Sequence, residues 1–401
     1  MNRIALRAAI FVTLVLPIAF GADACGTSDS STADGAVDAA GDVFSTDVAQ
    51  VDAADGGTAD AGCTGSTNFT NDPLNCGACG HNCLGGACQN SLCQPYVMQS
   101  PLEPYVYAMA TDHTGAYWTD EALGSNNGAV RYLSNTALAA VTLASGLSAP
   151  TTIASDGVSI YFQTLGQEDA GQNWYGGQVL TCPVAGCSPS PTVLMNIPGA
   201  QGLSYGVATS SNTAFWSIED DKIYAHVEGS DASTIFTTGS SVNTGFTIAT
   251  DSTYLYWGGS PVAKEMLTGS NVQNLDPTSF ARRLVVGPNA IFAYRNGGDI
   301  GWCPLPDCAG GMQELIGADA GTYVALAGDA TSLYFTSADT SGHVLLMSCL
   351  QSDCKPTQIG SVDATICDSA GVNQAIGVND TAIFWACNTS GSASQVWRLA
   401  K

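Results

Sequence analysis

A chain of 401 residues is long for one ordinary domain, although a repeat architecture absorbs such length in a single body. Only 11 Lys and Arg stand against 35 Asp and Glu, a formal net charge of −24. That balance excludes nucleic-acid backbones and polybasic attachment to anionic lipid, because like charges repel.

Arg3 and Arg7 precede an apolar run from Ala8 to Phe20, and small residues lead into Cys25. The run is too short to span a membrane and has the order of an export signal, so residues 1–24 are expected to be a signal peptide. Ala22-Asp23-Ala24-Cys25-Gly26 resembles a bacterial lipobox, departing from that family's preferences at Ala22 and Asp23. The resemblance implies that Cys25 becomes the lipid-bearing N-terminus of the mature protein. The alternative is ordinary cleavage, a stray thiol at Cys25 and a soluble secreted product. Cysteine count favours the lipid: with Cys25 set aside from the 15, six fall between Cys63 and Cys93 and eight between Cys182 and Cys387. The expected location is the outer membrane or cell surface, held by the lipid alone.

Residues 25–62 hold eight aspartates, no basic residue and one aromatic, Phe44. Such a segment buries too little apolar surface to offset its ordering entropy and reads as an acidic tether. Residues 63–94 form a cysteine module with Cys63, Cys76, Cys79, Cys83, Cys88 and Cys93. Three disulfides are expected, and fifteen connectivities are open. The competing chemistry is zinc on Cys76, Cys79, His81 and Cys83, which export into an oxidising compartment disfavours. The pattern Asn75-Cys76-Gly77-Ala78-Cys79-Gly80-His81-Asn82-Cys83 resembles the module of the stigma-specific protein family, which recurs in exported myxobacterial proteins. That module carries no catalytic residues.

Residues 95–401 repeat one phrase: an apolar strand ending in Ala-x-Asp, a turn, then an aromatic pair. Asp112, Asp156, Ser210, Asp251, Gly287, Asp329 and Asn379 each lie six residues before the second aromatic position, at Trp118, Phe162, Trp216, Trp257, Ala293, Phe335 and Trp385. The copies begin 36 to 54 residues apart, the length of a four-stranded blade. An all-β, seven-bladed propeller is expected, with six blades as the alternative. The last copy has three strands before Lys401, and Tyr96-Val97-Met98 is expected to supply its fourth. Cys182 with Cys187, Cys303 with Cys308 and Cys349 with Cys354 are expected to bracket turns between third and fourth strands, leaving Cys367 to join Cys387. The phrase, with its literal Tyr117-Trp118-Thr119-Asp120, resembles the YWTD-type propellers of lipoprotein-receptor ectodomains, which have six blades. The resemblance implies a scaffold used mainly for binding.

No arrangement for catalysis stands out. His81, His113, His226 and His343 are dispersed, and no nucleophile elbow, zinc-protease or phosphate-loop motif is present. The repeated aspartates read as turn caps, and Glu219-Asp220-Asp221 reads as a solvated loop rather than a Ca²⁺ site. No metal or cofactor is expected. Five residues before each Asp-equivalent stand Tyr107, Thr151, Tyr205, Phe246, Arg282, Val324 and Gln374, near the channel mouth. This chemically varied ring is the candidate ligand site; the plainer reading is that it fills the bore. The leading function is a monomeric, non-enzymatic surface lipoprotein binding an unknown extracellular or periplasmic glycan, peptide or protein. A lyase or hydrolase at the channel mouth and an envelope spacer are the alternatives.

Overall fold

The structure, a computed structural model, describes residues 68–98, 105–120, 126–168, 174–197, 204–218, 222–238, 244–269, 272–317, 325–338, 344–362, 375–388 and 394–401. Among these residues there are strands and turns but no helix. The cysteine module holds the short hairpin β1 (Cys88–Gln89) and β2 (Leu92–Cys93), followed by β3 (Tyr96–Val97). Repeated up-and-down units follow. The first is β4 (Val106–Asp112), β5 (Gly115–Asp120), β6 (Gly128–Ser134) and β7 (Val141–Leu147). The second is β8 (Pro150–Ser155), β9 (Ser159–Glu168), β10 (Trp174–Pro183) and β11 (Thr192–Asn196); the third is β12 (Ser204–Ser210), β13 (Thr213–Ile218), β14 (Lys222–Val227) and β15 (Thr234–Thr238). Then come β16 (Thr244–Thr250), β17 (Tyr254–Gly259), β18 (Val262–Met266) and β19 (Gln273–Asp276), and β20 (Ala281–Val286), β21 (Ala290–Arg295), β22 (Ile300–Pro304) and β23 (Gln313–Ile316). The next unit is β24 (Ala325–Gly328), β25 (Ser332–Ala338), β26 (Val344–Leu350) and β27 (Asp353–Val362). The last is β28 (Ile376–Val378), β29 (Ala382–Asn388) and β30 (Ser394–Ala400).

Each unit is an antiparallel four-stranded sheet in chain order. The one exception in sheet count is a single pairing of Gly259 with Ala281, which joins β16–β19 and β20–β23 into one eight-stranded sheet. The last unit gains its fourth strand from β3, where Tyr96 pairs with Arg398 and Val97 with Trp397. The first strands β4, β8, β12, β16, β20, β24 and β28 neighbour one another in that order, and β28 returns to β4. The ring is thereby closed, with each first strand at the inner edge of its sheet.

The repeated phrase explains the packing. Met109, Ile153, Val207, Ile248, Leu284, Leu326 and Ile376 are all buried, each beside a small buried residue such as Ala110 or Ala208. Burying each of these larger side chains contributes about 1.5 to 3 kcal/mol. The second aromatics, Trp118, Phe162, Trp216, Trp257, Phe335 and Trp385, are buried between units. At Ala293 the fifth copy replaces the aromatic, and that residue is fully buried as well.

Antiparallel pairing gives the ring two distinct ends. The turns between first and second strands and between third and fourth strands share one end; first strands begin at the other. The turn end is stapled. Cys182–Cys187, Cys303–Cys308 and Cys349–Cys354 are disulfides between third and fourth strands, with Cα separations of 5.1, 5.0 and 4.8 Å. Asp112, Asp156, Asp251 and Asp329 cap turns there by accepting the amides two and three residues on. Such carboxylates serve the backbone N–H groups of the turn, as the sequence reading of turn caps expects.

In the cysteine module Cys76 bonds Cys88 and Cys83 bonds Cys93, so the thiolates a zinc ion needs are consumed. Cys79 and Cys387 are also disulfide-bonded. Cys25, Cys63 and Cys367, with the Cys367–Cys387 pairing, lie outside the described residues, as do the signal peptide, the tether and Glu219-Asp220-Asp221.

Candidate functional site

The end opposite the staples carries the irregular backbone. In β4 the pairing with β5 slips between Val106 and Ala108, leaving Tyr107 extra. The same slip occurs between Pro150 and Ile153, Ser204 and Gly206, Thr244 and Ile248, and Ala281 and Arg283. Each bulge contains the position five residues before the Asp-equivalent: Tyr107, Thr151, Tyr205, Phe246 and Arg282. A bulge adds a residue, twists the strand and re-aims its side chain, and it recurs beside binding sites. Val324 and Gln374 lie outside the described residues, and the side chains of Tyr205 and Phe246 are likewise outside them.

The ring is chemically uneven. Thr151 is fully buried, and its carbonyl accepts the Thr119 hydroxyl at 2.8 Å, which makes it an inter-unit latch. Next to it the Thr152 hydroxyl donates to Gln163 Oε1 at 2.7 Å, and Gln163 Nε2 donates to Ser217 O at 3.1 Å in the third unit. Tyr107 is buried against Ala149 and Leu165, with Tyr105 and Trp174 packed on the same cluster. Trp174 and the half-exposed Tyr175 belong to the β9–β10 hairpin, whose pairing runs out to Glu168 opposite Trp174.

On the far side of the channel Arg282 is half-buried and donates through Nε to Asn296 Oδ1 at 2.9 Å. Its neighbour Arg283 is buried, 4% exposed, and faces its cross-strand partner Tyr294. Burial pushes the Arg283 guanidinium down to about 10, while the Tyr294 and Tyr107 phenols act in the opposite sense, so it remains charged at neutral pH. Burial raises the Tyr294 phenol, and both Arg282 and Arg283 counteract that rise. Tyr294 is thus flanked by two guanidinium groups. Tyr107 and Arg283 come from units that are not neighbours in the ring.

Arg283 and Tyr294 are the residues that sequence reasoning missed. The repeat placed the mouth at one position per copy, and the bulge brings its neighbour to bear as well. A second missed feature lies deeper in the bore, one residue before the Asp-equivalent in the first four copies. There the Thr111 hydroxyl donates to Val378 O at 2.7 Å, Thr209 to Ser155 O at 3.0 Å and Thr250 to Thr209 O at 2.7 Å, while Ser155 donates to Asp112 Oδ2 at 2.9 Å. This hydroxyl belt ties consecutive first strands together and was visible as a recurrent Thr or Ser.

Among the described residues the histidines do not converge. His113 is exposed in a turn, His226 is in β14 of the third unit, and His343 lies outside the described residues. His81 bridges the module to the ring, with Nδ1 2.6 Å from Cys76 O and Nε2 2.7 Å from Lys401 O.

No family model matches the chain, and no curated protein matches it. Solved structures do. The chain is similar to the WD40 repeats of RRP9, at 10% identity over 77% of this chain and 98% of that one, with a TM-score of 0.55. YCF48 from Cyanidioschyzon merolae is similar at 11% identity over 76% and 98% of the two chains, TM-score 0.51. A nidogen/laminin complex is similar at 16% identity over 60% and 90%, TM-score 0.42. The RRP9 and YCF48 likenesses are of fold: an all-β propeller of repeated four-stranded sheets.

Proposed function

We propose that this chain is an exported, monomeric, lipid-anchored binding protein whose seven-bladed propeller takes a protein or peptide at its bulged mouth. One observation carries the reading. The end of the ring opposite the three turn staples gathers Tyr105, Tyr107, Trp174, Tyr175, Arg282, Arg283 and Tyr294, the residue types that dominate protein-binding hot spots. Seven first strands closing on themselves support the blade count.

Export is supported by the leader and by five disulfides among the described residues, which persist in oxidising compartments. Those five bonds use ten cysteines, and Cys79 and Cys387 require two further partners from Cys25, Cys63 and Cys367. One cysteine of the three is left over, which supports a modified Cys25. A clickable palmitate analogue is expected to label the wild type and not Cys25→Ser.

The binding reading is tested by installing a photo-crosslinking amino acid at Tyr175 on the mouth end and, as a control, at Val158 on the turn end. Both side chains are exposed. Protein adducts from intact cells at Tyr175 and not at Val158 support it; equal or absent adducts at both sink it.

A further inference from the structure

Several of the described cations meet carboxylates or carbonyls of the chain. Arg131 pairs with Asp120, Arg295 with Asp299, Lys355 with Asp353 and Lys401 with Asp329. Lys264 donates to Pro306 O, and Arg398 is spent on four backbone carbonyls. Arg282 differs from all of these, because its Nε donates to the neutral Asn296 amide oxygen and the side chain is half-exposed. It stands beside Arg283 and Tyr294 at a β-bulge on the mouth.

We propose that Arg282, Arg283 and Tyr294 form a subsite for a carboxylate carried by a peptide, deepening the binding reading above and resting on it. Arg282 presents the fork of N–H donors that matches two carboxylate oxygens, and the Tyr294 hydroxyl supplies a neutral donor between the guanidinium groups. Arg283, buried behind them, adds a fixed positive charge in a low-dielectric wall, where it acts more strongly than in water. The chain as a whole is strongly acidic, with a formal net charge of −24. Polyanions are repelled over the whole surface while a single carboxylate is drawn to one spot, which provides selectivity. The rings next to the arginines favour a peptide over an acidic sugar. Tyr107 is buried and Tyr294 half-buried, so neither presents an open ring face beside the arginines on which a pyranose could stack.

The test uses the full-length protein and an array of fluorescent hexapeptides in matched sets: free or amidated C-terminus, and internal Asp/Glu or Asn/Gln. Expected is retention of one carboxylate-bearing set, about tenfold weaker for its neutral partner and for Arg282→Gln, with a steep loss on raising salt. Dependence on the free C-terminus assigns the carboxylate to the chain end, and dependence on Asp/Glu assigns it to a side chain. Arg282 is half-exposed, so Arg282→Gln is expected to fold; Arg282→Lys, which keeps charge and loses the fork, should fall between. Equal binding of acidic and neutral peptides, lost in Trp174→Ala, overturns the carboxylate subsite and leaves the mouth reading standing. Retention of oligogalacturonate with no peptide retained overturns the subsite in favour of an acidic glycan. Failure of every peptide to bind overturns the subsite, and the mouth reading then stands or falls on the adducts at Tyr175 and Val158.

Discussion

The carboxylate of Asp251 accepts the Tyr256 hydroxyl at 2.7 Å on Oδ2, while Oδ1 takes the amides of Thr253 and Tyr254, each at 2.6 Å. One side chain thus closes a turn and satisfies a buried phenol five residues away. Asp156 with Tyr161 and Asp329 with Tyr334 repeat the arrangement at 3.3 and 2.9 Å. Replacing Asp251 by Ala orphans the phenol and both amides, and an unsatisfied buried group costs about 1 to 3 kcal/mol. Chemical denaturation should show a loss of about 2 to 3 kcal/mol for Asp251→Ala. Asp251→Asn, which keeps an acceptor for the turn, should lose about 1 kcal/mol.

The same geometry sets the alkaline limit. Burial first, then the adjacent carboxylate, raises the phenols of Tyr161, Tyr256 and Tyr334 above their ordinary value. In the unfolded chain these groups ionise near pH 10, whereas in the fold they stay protonated well above it. Their stabilisation is therefore complete below pH 10 and lost as pH rises toward the folded values. Spectrophotometric titration should show phenolate appearing in two stages, with the later stage coincident with loss of β-sheet circular dichroism. Simultaneous titration of all tyrosines with the fold intact would contradict the geometry.

Much of this was legible in the sequence, for a definite reason. A strand, a capped turn and a second strand place the Asp and the aromatics at a fixed covalent offset, so their relationship survives as spacing. The mouth was legible only in part. Tyr107 and Arg282 lie in bulges, and a bulge is a slip between two strands that the spacing of either strand does not encode. Arg283 was hidden for that reason, and Tyr294 because it occupies a position where other copies carry Thr119, Gln163, Ser217 or Thr336. The partner strand β3 was legible because the last copy is one strand short.

Lys264 links the fourth unit to the stapled turn of the fifth. It is buried in β18, lies 4.1 Å from the centre of the Tyr254 ring and donates through Nζ to Pro306 O at 2.6 Å, inside the Cys303–Cys308 loop. Removing that disulfide should cost about 2 kcal/mol through the short loop it closes. Once the loop is free, Pro306 no longer meets the ammonium. Lys264→Met and the double Cys303→Ala, Cys308→Ala change should therefore be non-additive, with a coupling of about 1 kcal/mol in a double-mutant cycle. Strict additivity would show that the loop holds its position without the disulfide.

Arg398 joins three parts of the chain. From β30 it donates to the carbonyls of Ser134, Asn135 and Ala137 at 3.3, 2.8 and 2.9 Å, bonds Leu84 O in the cysteine module, and lies 5.8 Å from the Tyr96 ring. Burial lowers its pKa and Tyr96 opposes the change. Arg398→Met keeps the aliphatic stem and removes every one of these donors, at about 3 kcal/mol for the carbonyls left buried. The expected signature is local before it is global: limited proteolysis should cut between the module and the ring in Arg398→Met while the ring itself resists. Cleavage within the ring first would place the weak point elsewhere.

Gly377 occupies the position where five other copies carry Ala110, Ala154, Ala208, Ala249 and Ala327, so alanine there would bring the last copy closer to the repeat. The packing argues the opposite. A Cβ at Gly377 would meet Thr111 Cγ2 at 2.7 Å and Met109 Cγ at 3.3 Å, at the seam where β28 closes on β4. Thr111 cannot yield cheaply, because a β-branched side chain has few rotamers and its hydroxyl is held by Val378 O at 2.7 Å. Gly377→Ala should therefore lower stability by about 1 to 3 kcal/mol, the usual cost of overpacking a tight core. Thr111→Ser removes the colliding methyl and keeps the hydroxyl, so the Gly377→Ala, Thr111→Ser double variant should recover most of the loss in thermal unfolding. No recovery would show that the seam is set by Met109 and the backbone rather than by the hydroxyl belt.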